Sequence, residues 1–202
     1  MWKHPIRIRT LAPSLTATFL LASAGSLAAQ HPKSPLGLRH VQTVEPLSGP
    51  VGTVVRLNTQ DLPIQAKIYV GVGATHEGWE ELAEVPQSEL GEVSATVAIP
   101  EFASWDQPLV FIVFNGIFSP IAISDPFHVT DEEGRIMRRG TITDEGTGCT
   151  MLRDRDDYQY ALTGDVSSLR PGDSVVVEGV YLTDGPCASN NAIQVTRIDE
   201  VG

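Results

Sequence analysis

The chain has 202 residues, with 14 Lys+Arg against 25 Asp+Glu, a formal net charge of −11 and two cysteines. Such an acidic chain repels nucleic acid and anionic lipid, which excludes both as expected partners. No Gly-rich phosphate loop precedes a helical pattern and no Gly-x-Ser-x-Gly elbow occurs, so two common enzyme signatures are missing.

Lys3, Arg7 and Arg9 form a positive start without an acidic residue, and Leu11 to Leu27 follows as a mostly apolar run. Ser26-Leu27-Ala28-Ala29 then supplies small residues. That order predicts a secretory signal peptide over residues 1–29, cleaved after Ala28 or Ala29. Pro13, Ser14, Thr16 and Thr18 interrupt the run, which suits a removable leader better than a spanning helix. No cysteine follows it, so the lipoprotein route is closed. The expected location is periplasmic or extracellular, with no stable membrane insertion after cleavage. Loss of three basic residues and no acidic one leaves a mature charge of about −14.

Residues 30–35 read as a polar leader containing Pro32 and Pro35. From Leu38 onward, short stretches of period-two alternation are separated by Gly, Pro, Asn and Asp, the pattern of strands. Val55 and Leu57 oppose Val54 and Arg56; Ile68, Val70 and Val72 oppose Lys67 and Tyr69; Val93, Ala95, Val97 and Ile99 oppose Ser94 and Thr96. Glu77 to Glu84, with Trp79 and Leu82, is the one helix candidate. Leu109–Phe114 is apolar throughout, as in a strand covered on both faces. Exposed apolar surface around Trp105, Phe111 and Phe114 is therefore expected to meet the second half of the chain or another protein, unless the first half covers it alone. Asn115-Gly116 predicts a type I′ hairpin from Leu109–Phe114 to Ile117–Ile123, and Pro120 confines the returning strand to an edge or bulge. About seven strands over residues 36–130 describe an immunoglobulin-like β-sandwich.

Pro46-Leu47-Ser48-Gly49-Pro50-Val51-Gly52-Thr53-Val54-Val55 resembles the opening of the IPT/TIG family of immunoglobulin-like domains, Pro-x-x-Gly-x-x-Gly-Thr-x-Val. Ser124 to Thr130 is similar to the final strand of such domains, and Asn58-Thr59 departs from the glycine often found there. The resemblance, over residues 44–130, implies a spacer or recognition module and carries no catalytic residues.

Asp131-Glu132-Glu133-Gly134 is an acidic junction and the expected linker, residues 131–134. Beyond it, Ile136, Gly140 and Ile142 mark one strand face, Tyr158, Tyr160 and Leu162 a second, and Val175 and Val177 a third. Five strands over residues 135–202 predict a small closed barrel of OB type, with Gly140 and Gly179 at bulges or corners. The fold class is thus all-β: an N-terminal immunoglobulin-like β-sandwich followed by a small OB-like β-barrel. In an oxidising compartment, Cys149 and Cys187 read as one disulfide closing a loop of about 39 residues. Gly140–Thr143, Tyr160–Gly164, Pro171–Gly179, Ile193–Ile198 and both cysteines are similar to a small family of uncharacterised exported bacterial domains. That family adds an expectation of fold and bridge, without an activity.

Among candidate chemical sites, His76-Glu77-Gly78-Trp79-Glu80 begins like a zinc-protease motif but lacks the second histidine. The scattered histidines, His40 and His128 among them, read as surface or strand-edge residues. Arg153-Asp154-Arg155-Asp156-Asp157 reads as a polar hairpin tip with self-paired charges. It lacks the spacing and glycine of a calcium loop. Arg135, Arg138 and Arg139 form the main basic cluster, opposed by Asp131, Glu132 and Glu133, which is no groove for single-stranded nucleic acid. No catalytic, cofactor-binding or metal residue and no cofactor is assigned. The functional expectation is an exported, non-catalytic recognition or structural protein with a protein partner in the envelope. The alternative is a small-molecule or cation carrier using the barrel, its first contacts Arg153, Asp154, Asp156, Asp157, Tyr160 and Glu178.

Overall fold

Fifteen strands follow the alternation in a computed structural model that describes residues 37–75, 77–144, 148–185 and 191–201. The expected signal peptide and polar leader, His76 and Cys187 lie outside those residues. There is no helix among the described residues, and the protein is all-β.

The first ten strands are β1 (Arg39–His40), β2 (Thr43–Glu45), β3 (Ser48–Gly49), β4 (Val54–Thr59), β5 (Ile68–Gly73), β6 (Trp79–Val85), β7 (Val93–Ala98), β8 (Pro108–Asn115), β9 (Pro120–Ile123) and β10 (Phe127–Val129). β2, β4 and β7 make a three-stranded antiparallel sheet. The other seven form a second sheet centred on β8, which pairs β5 along one edge and β9 and β10 along the other. β6 extends the sheet beyond β5, while β1 and β3 add to β9 and β10 in parallel. Val55, Leu57, Val93 and Val97 from the smaller sheet share one core with Ile68, Val70, Val72, Phe111 and Val113 from the larger. The two sheets therefore bury their inner faces against each other, as a β-sandwich requires.

Three sequence expectations change here. Glu77 to Glu84 is no helix: residues 79–85 are β6, paired antiparallel with β5 across a bulge at Val70/Gly71. Sheet pairing overrides the helical propensity of its glutamates. Asn115-Gly116 makes no two-residue turn either. β8 runs to Asn115 and β9 begins at Pro120, and positive φ falls on Phe118 (56°). The Asn115 carboxamide determines this, because its Oδ1 accepts the N–H groups of Ile117 at 3.2 Å and Ser119 at 2.9 Å. Finally, Phe111 (0% exposed) and Phe114 (3%) are themselves buried, and the exposed apolar surface beside Phe114 comes instead from Trp79 (45%) and Phe118 (42%). Trp79 and Phe118 cover Phe114 from the solvent side. Pro120 does lie at a register shift between β8 and β9.

At residues 131–134 the chain turns into the barrel, the Gly134 carbonyl accepting the Tyr181 N–H at 3.4 Å. Asp131 Oδ1 accepts the N–H of Glu133 and of Arg135, and its Oδ2 takes the Arg135 guanidinium at 2.7 Å, which fixes the turn. Beyond it, β11 (Arg135–Thr143), β12 (Thr150–Asp154), β13 (Gln159–Thr163), β14 (Ser174–Leu182) and β15 (Ala192–Glu200) close a five-stranded barrel in the order β11-β12-β13-β15-β14. All its pairs are antiparallel except β13 with β15. Ile136, Leu152, Tyr160, Val175, Val177 and Ile193 fill its interior. Gly179 marks a bulge against β15, where a Cβ would collide with the Gln194 carbonyl, and a Cβ at Gly140 would meet the Arg153 carbonyl. The described residues of sandwich and barrel fall in one compact unit.

Candidate functional site

The site follows from one feature of β11. Alternation puts Arg138 on one face with Ile136, Gly140 and Ile142, and this arginine is 1% exposed. A buried arginine must spend its donors on acceptors. Arg138 donates to the carbonyls of Trp105 at 2.8 Å and Met137 at 2.7 Å, to the Tyr160 hydroxyl at 3.1 Å, and to His128 Nδ1 at 3.1 Å. Trp105 and His128 belong to the sandwich, Tyr160 to the barrel. The Met137 N–H also donates to the Trp105 carbonyl, at 3.1 Å. Arg138 therefore bolts the two halves together.

His128 was expected at the surface and is fully buried. Its neighbours Phe127 and Val129 point into the sandwich core, so its own ring points the other way, where the barrel covers it. Tyr181 lies against the imidazole with centroids 4.1 Å apart, and Tyr160 meets it edge-on at 5.6 Å. Arginine can only donate, so Nδ1 accepts and the proton of the neutral ring sits on Nε2. Burial, then the Arg138 charge, hold this histidine well below its usual range, the Asn191 side chain pulling weakly the other way. Burial likewise pushes the Tyr181 phenol up to about 12 and the Tyr160 phenol higher still.

Asp154 supplies the fourth corner. Its Oδ1 accepts the N–H groups of Asp156 and Tyr158, each at 2.9 Å, and its Oδ2 accepts the Tyr160 hydroxyl at 3.3 Å. Burial raises its pKa, against the pull of those N–H groups and of Arg138. The Arg153–Asp157 tip is thus built around Asp154, and it also carries the expected internal charge pair, Arg155 Nε lying 3.7 Å from Asp156 Oδ2. Arg155 leaves the tip for the sandwich and donates to Gln107 Oε1 at 2.7 Å and Glu77 Oε1 at 3.3 Å.

Above this network a cleft of about 340 Å³ opens between the halves, lined by Asp106, Gln107, Arg138, Arg139, Asp154 and Arg155, with Asp156 beside them. A second hollow of about 270 Å³ shares Arg139, Asp154 and Arg155 and adds Arg153. The walls carry both signs of charge. Of the residues expected to touch a ligand, Asp154 and Asp156 line the cleft, Arg153 lines the adjoining hollow and Tyr160 lies beneath. Asp157 is exposed at the tip with a φ of 65°. Glu178 belongs elsewhere, 3.6 Å from Arg197. The expected basic cluster is dispersed: Arg135 pairs with Asp131 and Glu133, Arg138 is buried, and Arg139 is exposed. Sequence reasoning missed Arg138 and His128; parity with Ile136 and Ile142 was the available signal for the first.

Cys149 packs beside Met151, Ala161 and Ala192 on the barrel, and no described cysteine is free. Its expected partner Cys187 lies outside the described residues.

No family model matches the chain, and no curated protein matches it. Fold and geometry define a β-sandwich joined to a closed five-stranded β-barrel, with a polar cleft at the seam.

Proposed function

We propose that this is an exported, non-catalytic recognition or structural protein of the bacterial envelope or extracellular space. Its sandwich is read as an IPT/TIG-like immunoglobulin-like domain, residues 36–130, and its barrel as an OB-like domain, residues 135–202, stapled by Cys149–Cys187. The strand order β11-β12-β13-β15-β14, with one parallel pair, supports the OB reading. The leader supports export, and export supports the bridge.

One observation carries the non-catalytic reading: the groups best suited to chemistry are committed to one another. Arg138 cannot release a proton, His128 Nδ1 is taken by Arg138, and Asp154 accepts three internal donors, two on Oδ1 and one on Oδ2, which leaves one of its four lone pairs. A general base needs a free lone pair within reach of a substrate. These residues instead spend their polarity on holding sandwich and barrel in one arrangement. The test has two arms. Mass spectrometry of protein recovered from the envelope or medium should show an N-terminus at Ala29 or Gln30, and the purified protein should turn over no ester, glycoside, peptide or phosphoester panel. Retention of residues 1–29 defeats export; turnover abolished by Asp154→Asn without loss of fold defeats the non-catalytic reading.

The seam cleft favours a second reading, a small polar ligand held at Asp154, Arg155 and Asp156. The barrel interior is filled by side chains, so such a ligand would sit at the seam. A ligand-dependent rise in melting temperature would support it.

A further inference from the structure

The outer face of the larger sandwich sheet carries an aromatic platform built from β5, β6, β8 and the β8–β9 loop. Trp79 on β6 lies 4.2 Å, centroid to centroid, from Phe114 on β8 and 5.5 Å from Phe118 in the β8–β9 loop. Phe118 stacks on Tyr69 of β5 at 4.7 Å. Gly71 makes room beneath, since a Cβ there would come within 3.2 Å of the indole and 3.0 Å of the Phe114 ring. Phe114 is the buried base of the cluster, yet Trp79 stays 45% exposed and Phe118 42%.

Phe118 has a φ of 56°, a conformation that side chains with a Cβ avoid. The Asn115 turn accounts for that backbone, and the ring it projects stays half-exposed beside Trp79. The rim supplies the chemistry. Glu81 stands opposite Gly71 while Trp79 stands opposite Gly73, so carboxylate and indole share one face. Glu84, on the same face opposite Tyr69, already holds a cation with it: Lys67 Nζ lies 3.2 Å from Glu84 and 6.0 Å from the Tyr69 ring centre. Among the described residues no ion pair engages Glu81. The platform therefore presents a second site of the kind that Lys67 fills, ring face and carboxylate together, in a chain of charge −11.

We propose that Trp79, Phe118 and Glu81 dock a lysine or arginine side chain from a basic segment of a partner protein. This rests on the recognition reading and gives it a surface and a partner chemistry. A cation over an aromatic face beside a carboxylate gains from both, and the acidic chain steers a basic partner towards it.

The experiment uses the full chain and a labelled arginine- and lysine-containing nonapeptide, with fluorescence anisotropy as readout. Saturable binding should weaken about tenfold in Trp79→Ala, and about threefold to fivefold in Phe118→Gly and in Glu81→Gln. Phe118→Gly is the safeguard against misfolding, because glycine accepts the positive φ and an unchanged melting profile shows the fold intact. Glu89→Gln removes the same charge from an exposed turn and should leave binding unchanged. Equal effects of Glu81→Gln and Glu89→Gln would reduce the attraction to net charge and overturn the site. So would binding that Phe118→Gly does not alter, no saturable binding, or equal capture of a peptide with citrulline for each arginine and acetyl-lysine for each lysine, or of a neutral oligosaccharide. Such a failure in a protein without turnover removes the platform and leaves the recognition reading. Turnover removes that reading and leaves the peptide result to be judged alone.

Discussion

Replacing Arg138 by methionine tests the bolt directly. The change keeps an unbranched apolar side chain and deletes the guanidinium, so His128 Nδ1 loses its donor at 3.1 Å and Tyr160 its donor at 3.1 Å. The Trp105 carbonyl keeps the Met137 N–H and the Tyr160 hydroxyl keeps Asp154 Oδ2, so only part of the network is orphaned. A lost charge-assisted bond is worth about 1.5–3 kcal/mol, and a buried acceptor left unpaired costs about 1–3 kcal/mol more. Removing one partner from a buried charged network costs about 3–5 kcal/mol, which brackets the same value. At roughly 2–4 °C per kcal/mol for a chain of this size, melting should fall by about 6–20 °C. Urea unfolding followed by the emission of the sandwich tryptophans Trp79 and Trp105 and by hydrogen-exchange protection of the barrel strands should also separate into two transitions, because the groups that couple the halves have gone. Adding His128→Phe should recover about 1–3 kcal/mol, since an apolar ring can still lie on Tyr181 without an orphaned nitrogen. A loss below about 1 kcal/mol with one intact transition would show that Arg138 does not join the halves.

His128 also sets a pH dependence. Its folded pKa is depressed, so the unfolded chain takes up the proton first; stability is complete above the unfolded value of about 6.5 and falls as pH drops towards the folded one, by up to about 1.4 kcal/mol per unit. Urea midpoints at pH 5, 6 and 7 should show this slope, and His128→Phe should lack it; an equal slope in both assigns it to other groups. Arg155→Ala should cost under about 1 kcal/mol, because the Arg155–Glu77 pair is 62% and 50% exposed, and a larger loss in the same assay would make the tip a second bolt. Replacing both cysteines by serine should cost about 4 kcal/mol for a loop of about 39 residues, read as lost hydrogen-exchange protection across β11–β15. Equal melting of reduced and oxidised protein would make the bridge incidental.

Much of the fold was legible because many strands keep one face wet. Val55 and Leu57, Val93, Ala95 and Val97, and Val175 and Val177 alternate with exposed or half-exposed neighbours, and the structure buries each of them. What misled was local chemistry overruled at a distance. Trp79-Glu80-Glu81-Leu82 has the spacing and composition of a helix, yet glutamates also suit an outer strand whose free edge must stay unattractive to other strands. Asn115-Gly116 carries the usual hairpin signal, but the Asn115 side chain reaches two later N–H groups and moves the positive φ to Phe118, whose ring finds Tyr69. The seam was hidden for a different reason. Arg138 shares its parity with Ile136 and Ile142, and His128 stands between two core residues, so each breaks the rule that a charge or imidazole on a strand faces water. A buried polar residue demands a buried polar partner, and Arg138 and His128 on facing halves supply each other with one, beside the Trp105 carbonyl that takes both the Arg138 guanidinium and the Met137 N–H.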